Sequence, residues 1–233
     1  MLLHCLDKSF FLKSIIIASC CIILIIQQQI TWANDRQTII MEGIKNKYTH
    51  LSGISISYTR EIISSTMSML GNQIKGDFAS GIIYLKPPAF LKLEQKSPRQ
   101  EIIITDGMAI WWYIPEDKCA YKYPARKYSK ELSLLSDIFC RFSTLENDFN
   151  IKLLGTHQGK DKVELTPNPP WQEIEKIIIT VSGRDVIRKI DIHNTFGSIT
   201  SFKLKDLNGI KAFNKNFFYF TPPKGIKIIE TLE

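Results

Sequence analysis

From Gly53 onward the chain alternates. Ile54, Ile56 and Tyr58 fall on one side of an extended segment and Ser55, Ser57 and Thr59 on the other, the period-two pattern of a half-buried strand. Gly71-Asn72 and Gly76-Asp77 mark turns, and two strongly apolar runs follow, Gly81 to Leu93 and Ile102 to Tyr113, each rich in β-branched and aromatic residues. Asp106-Gly107 inside the second reads as a tight two-residue hairpin turn. Further strand-like runs occupy 151–154, 162–166, 173–181, 186–192, 199–207 and 216–221. The period becomes helical at two places only. Asn34 is a plausible N-cap for a short helix with Ile39, Ile40 and Ile44 on one stripe, ending near Tyr48. Lys130 to Phe142 carries Leu135, Ile138, Phe139 and Phe142 at i, i+3, i+4 and i+7.

Such a pattern predicts a mainly β fold. So many strands twist into a curl, and the sheet then either closes, packs on a second sheet, or needs a cover for its hollow side. An unclosed antiparallel β-barrel with helices as a lid leaves an apolar cavity; sheet-on-sheet packing uses the same aromatics as ordinary core.

The first 33 residues read as an address. Lys8 and Lys13 precede a continuously apolar or small run from Ile15 to Ile26, and Thr31-Trp32-Ala33 forms a small-x-Ala cleavage site. Residues 1–33 are therefore a signal peptide and 34–233 a single exported domain. The apolar run is shorter than the about 20 residues a spanning helix needs. Ile17-Ala18-Ser19-Cys20 resembles a lipobox, but the apolar stretch continues beyond Cys20 and the match is read as coincidental. Removing Lys8, Lys13 and Asp7 from the total of +7 leaves +6. The lysines are scattered on alternating strand positions, which describes a solvated face and not a nucleic-acid surface. Cys119 and Cys140 remain after processing, an even pair that closes one loop or serves as two buried thiols.

No enzyme is expected. His50, His157 and His193 stand at no metal spacing, and there is no Gly-x-Ser-x-Gly elbow, phosphate-cradling glycine loop or Cys-x-x-Cys, so neither cofactor nor metal is predicted. Asp106 is explained by the turn it occupies.

The ordered set Gly81…Leu85-Lys86-x-Pro88…Phe90, Ile103-Ile-Thr-Asp106-Gly107-x-x-Ile-Trp111-x-Tyr113-x-Pro115, Leu165-Thr-Pro167 and Phe218-Tyr-Phe220-Thr-Pro222-Pro223-Lys-Gly225 resembles the periplasmic outer-membrane lipoprotein carrier family, LolA, over nearly all of 34–233. The resemblance implies a monomeric periplasmic chaperone with the unclosed, helix-lidded barrel. Its implied partners are acylated lipoproteins, an inner-membrane lipoprotein-releasing ABC transporter and an outer-membrane lipoprotein acceptor. A lipid sensor, or a carrier of other lipids on the same fold, is the alternative.

Parity places the lining, because strand side chains alternate faces. The resemblance puts Pro87, and with it Ile83 and Leu85, inward, followed by Leu91 and Leu93, with Lys92 and Glu94 left to solvent; Ile54, Ile56 and Tyr58 form the matching stripe. In the 102–113 hairpin, Ile103, Ile110 and Trp112 share one face and Ile102, Ile104, Trp111 and Tyr113 the other, and Trp112 is taken as inward. Leu135, Ile138, Phe139 and Phe142 form the lid. Many family members carry an arginine latch where this chain has Pro87, which has no side-chain donor.

Overall fold

The structure is a computed structural model and describes residues 36–64, 76–124 and 130–230. The predicted signal peptide, Asn34 and the Gly71-Asn72 turn lie outside them. Packing divides the chain into two units, 1–42 and 43–233. The described part of the first is the opening of helix α1 (36–49), whose later turns belong to the second. There Ile44 and Tyr48 are buried, whereas Ile39 is 70% exposed and is not on the buried stripe predicted for it.

Among the described residues, the second unit is organised by one sheet of twelve strands: β1 (Ile54–Ile63), β2 (Asp77–Lys86), β3 (Phe90–Ser97), β4 (Glu101–Thr105), β5 (Ala109–Ile114), β6 (Cys119–Pro124), β7 (Phe149–His157), β8 (Lys160–Pro167), β9 (Ile174–Ser182), β10 (Val186–Asn194), β11 (Ile199–Gly209) and β12 (Lys227–Glu230). Their order is β12-β6-β5-β4-β3-β2-β1-β11-β10-β9-β8-β7, so two antiparallel meanders join where β1 pairs β11, and the sheet ends at β12 and β7 without closing. Of these strands only β12 runs parallel to its neighbour, β6. Between the meanders lie α2 (Lys130–Cys140), a 3-10 turn (Phe142–Thr144) and the single turn α3 (Leu145–Asp148). The predicted second helix thus stops two residues before Phe142, which is buried in the 3-10 turn instead.

Register fixes the faces. Ile54 pairs Leu85, Leu85 pairs Leu91, Leu91 pairs Thr105 and Thr105 pairs Ile110; one step along, Ile56, Ile83, Leu93, Ile103, Trp112 and Tyr121 form a parallel row. These rows lie on the inner face, which continues through Phe202, Ile190, Ile179 and Val163 in the second meander. Thr105 pairs Ile110, so four residues, 106–109, and not two separate the last paired positions of β4 and β5. Asp106 Oδ1 accepts from the backbone N–H of Met108 at 2.9 Å and of Ala109 at 3.2 Å, which stabilises the longer turn. The change moves the register by two, so the predicted sharing of faces survives.

The segment 216–221 is not a strand. Phe217 donates its N–H to Asn214 and Tyr219 donates to Asn216, turning the chain so that the adjacent rings of Phe217 and Phe218 both enter one cluster with Phe213. A strand would send neighbours to opposite sides. This aromatic segment lies on the outer face of the first meander, against Tyr84, Phe90, Trp111 and Tyr113. Lys92 and Glu94, expected in solvent, are there bridged at 2.7 Å with the Lys92 ammonium over the Phe217 ring, so that face is partly covered. Gly53 makes room for it, since a Cβ at that position would come within 2.3 Å of the Phe213 ring.

Candidate functional site

The inner face of β1 to β3 is almost wholly apolar and withdrawn from water. Ile54, Ile56, Tyr58, Ile83, Leu85, Leu91 and Leu93 are all between 0 and 6% exposed. Trp112 shares their face through its pairing with Ile103, but it is only half-buried. Its indole N–H donates to Glu101 Oε2 at 2.9 Å, and Glu101 is held from the other side by Arg99 at 2.6 Å. Beside Trp112, Tyr121 lies at 5.4 Å between ring centroids and stacks in turn with Tyr123. The inner face therefore runs from an aliphatic floor on β1 to β3 to an aromatic, half-covered margin on β5 and β6.

What covers the floor is helix, not a second sheet. In α2, Leu134, Leu135, Ile138 and Phe139 are between 0 and 4% exposed. Phe139 meets Tyr48 of α1 edge-on at 5.3 Å, and the Tyr48 hydroxyl accepts the Ile187 backbone N–H at 3.1 Å, tying the helices to β10. Gly43 lets α1 approach the hairpin after β9, because a Cβ there would stand 2.5 Å from the Asp185 carboxylate.

Burial pushes the Tyr48 phenol up to about 12, opposed by the Ile187 N–H and Arg188; burial does the same for Tyr58, opposed by Arg60. Both folded values are raised above the ordinary 10.0. The stability gained by keeping these phenols protonated is therefore complete below pH 10 and is lost as the pH rises through about 12. Two units correspond to about 2.7 kcal/mol for each phenol. The urea midpoint is expected to fall steeply over that alkaline window, with part of the phenolate absorbance appearing only as the fold is lost. A midpoint flat across the window would show the phenols to be solvated.

A cavity of about 180 Å³ remains at the seam between α2 and the β3–β5 ends. Its apolar wall is Pro88, Ala89, Leu91, Ile110 and Leu132. Pro87, expected inward, is exposed: β2 ends at Lys86 and alternation ends with the ladder. At the other end of the seam Arg141 bridges Asp137 at 3.3 Å, and burial raises the Asp137 carboxyl against the pull of that guanidinium. Cys119 and Cys140 are both free thiols. Burial pushes Cys140 up to about 11, against the smaller pull of the Ser136 hydroxyl one turn back. Among the described residues no three His, Cys, Asp or Glu side chains cluster as a metal site would require, and no helix is long and apolar enough to cross a membrane.

The model of the outer membrane lipoprotein carrier protein family, LolA, matches residues 68–221, more than half of the chain. The chain belongs to the LolA family. Among relatives, an outer-membrane lipoprotein carrier protein from Dechloromonas aromatica is 27% identical over 159 residues, 68% of this chain and 74% of that one. One from Neisseria meningitidis serogroup C is 25% identical over 192 residues, 81% and 86% of the two chains. An uncharacterized conserved protein from Thermus thermophilus shares the fold at a TM-score of 0.52 with 9% identity, covering 83% of this chain and 98% of that one. The unclosed sheet with its helical cover is thus a LolA-type architecture in a family of carrier proteins.

Parity alone missed several residues at this site. Leu134 and Tyr48 are as buried as the predicted lid positions, and Tyr121 stands beside Trp112 on the inner face. Tyr121 carried a usable signal: in the run 119–124 it alternates with Lys122.

Proposed function

We propose that this protein is a periplasmic carrier that takes the acyl chains of lipoproteins released from the inner membrane and delivers them to an outer-membrane acceptor. The chains would lie on the floor formed by Ile54, Ile56, Tyr58, Ile83, Leu85, Leu91 and Leu93, with Trp112 at its margin. Leu135, Ile138, Phe139 and Phe142 act as the lid. An inner-membrane ABC transporter supplies the cargo, and the signal peptide at 1–33 places the protein between the membranes.

One observation carries the reading: an apolar floor is covered by side chains of a helix and not by a second sheet, with Leu135 and Ile138 at 0% exposure. Each methylene left in water costs about 0.8 kcal/mol, so a multiply acylated anchor needs a dry escort. Chains entering beneath α2 exchange one set of apolar contacts for another. The net affinity is then a small difference between large terms, which suits a carrier that must also let go.

The test is to add the purified protein to inner-membrane vesicles whose transporter is energised by ATP. Acylated lipoprotein is expected to appear in the supernatant as a soluble complex with this protein, and depletion in cells to leave lipoproteins at the inner membrane. Extraction of free phospholipid without lipoprotein would replace the cargo; extraction of neither would end the proposal.

A further inference from the structure

We propose that the seam cavity is a subsite for the ester carbonyls that join the acyl chains to glycerol, so that it orients the lipid anchor rather than merely housing hydrocarbon. This rests on the carrier reading and adds to it which part of the anchor sits where.

The cavity is lined by Leu91, Thr105 and Ile110 of one inner-face row, so it adjoins the apolar floor at Leu91. Yet five of its eleven lining residues carry polar side chains: Thr105, Ser133, Ser136, Asp137 and Arg141. A methylene chain gains nothing from such a wall, and hydroxyls sealed against hydrocarbon lose their hydrogen bonds to water. Ser136 is close to that position, being 7% exposed with only the weakly accepting sulfur of Cys140 for its hydroxyl to meet. Thr105, 9% exposed, accepts the Gly107 N–H at 3.0 Å, which leaves its own proton to donate. The group that complements these two donors, with Pro88, Ala89, Leu91, Ile110 and Leu132 as the apolar side of the chamber, is a neutral acceptor with alkyl on both sides, which is the chemistry of an ester carbonyl. About 180 Å³ compares with the roughly 150 Å³ that holds a benzene ring, so the space suits a glyceryl ester and not a whole acyl chain. The Asp137–Arg141 pair then lies on the water side of the linkage, where the polypeptide of the cargo emerges.

The probe is a synthetic cysteinyl peptide carrying two palmitoyl esters on its glyceryl group, compared with its dihexadecyl ether counterpart, which has the same chain count and the same peptide but no ester carbonyls. Affinity for the wild-type full-chain product is expected to be about tenfold higher for the ester, since each neutral hydrogen bond contributes modestly and two are removed. The double variant Ser136→Ala, Thr105→Val is expected to bring the ester down to the affinity of the ether while leaving the ether unchanged; Thr105→Ser is expected to retain the preference. Equal binding of ester and ether by the wild-type protein overturns the subsite and leaves the carrier reading standing. Failure to bind either one overturns the carrier reading itself.

Discussion

Replacing Ile138 by aspartate is expected to lift α2 off the sheet without dissolving the sheet. Ile138 is 0% exposed among Leu134, Leu135 and Phe139. A carboxylate there enters an apolar layer, and the Arg141 guanidinium one turn on is already bridged to Asp137. Burying an unpaired charge costs several kcal/mol, comparable with the combined contribution of its three apolar neighbours at roughly 1.5–3 kcal/mol each. The strands are held by a continuous backbone ladder, whereas α2 is held by side-chain packing, so the lowest-cost response is for the helix to leave. The variant should keep its β-sheet circular dichroism and bind an environment-sensitive apolar dye far more strongly than the wild type. It should also emerge from cells carrying more lipid. A variant that stays closed and dye-silent, or that loses its sheet together with its lid, would show that α2 is an inseparable part of the core.

The second large effect concerns the sheet. Gly81 lies on the inner face opposite Tyr58 on one side and Gln95 on the other, where the pairing of β2 and β3 shifts register after Ser80. A Cβ at this position would sit 1.9 Å from the Glu94 carbonyl oxygen. That obstacle is backbone, so no rotamer change relieves it and the two strands must part. Gly81→Ala is expected to cost about 3 kcal/mol, the upper end for overpacking. For a domain of this size that lowers the midpoint of thermal unfolding by roughly 6–12 °C. An unchanged midpoint would mean that β2 and β3 do not approach as closely as this register demands.

Most of the strands were legible because alternation is a local property of the chain. β1, β8, β10 and β11 fall where the period-two pattern places them, with ends extended by a few residues. Alternation set which residues of β1 to β3 share a face, since a pleated strand leaves its side chains no other choice, and the family resemblance told which face turns inward. Even the wrong turn length at Asp106-Gly107 did no harm to the faces, because the added residues came as a pair. Where the reading went astray, a non-local partner had intervened. Residues 216–221 have strand-like composition, but the exposed aromatic surface of Tyr84, Phe90 and Trp111 drew Phe217, Phe218 and Phe220 onto it in a turning path. Pro87 was placed inward by extending an alternation past the last paired residue.

Spacing along one chain was enough to set a mainly β fold, the two helical interruptions and which residues of each strand share a face. It took the folded arrangement to keep the sheet open between β7 and β12, and to lay α2 rather than a second sheet on the floor. Folding also put buried hydroxyls from β4 and α2 into one chamber with Leu91. Thr105 and Ser136 stand far apart in the chain, and no local pattern marks them as neighbours. What joins them is the energy of covering an apolar face, and that is settled only when every element competes for the same surface.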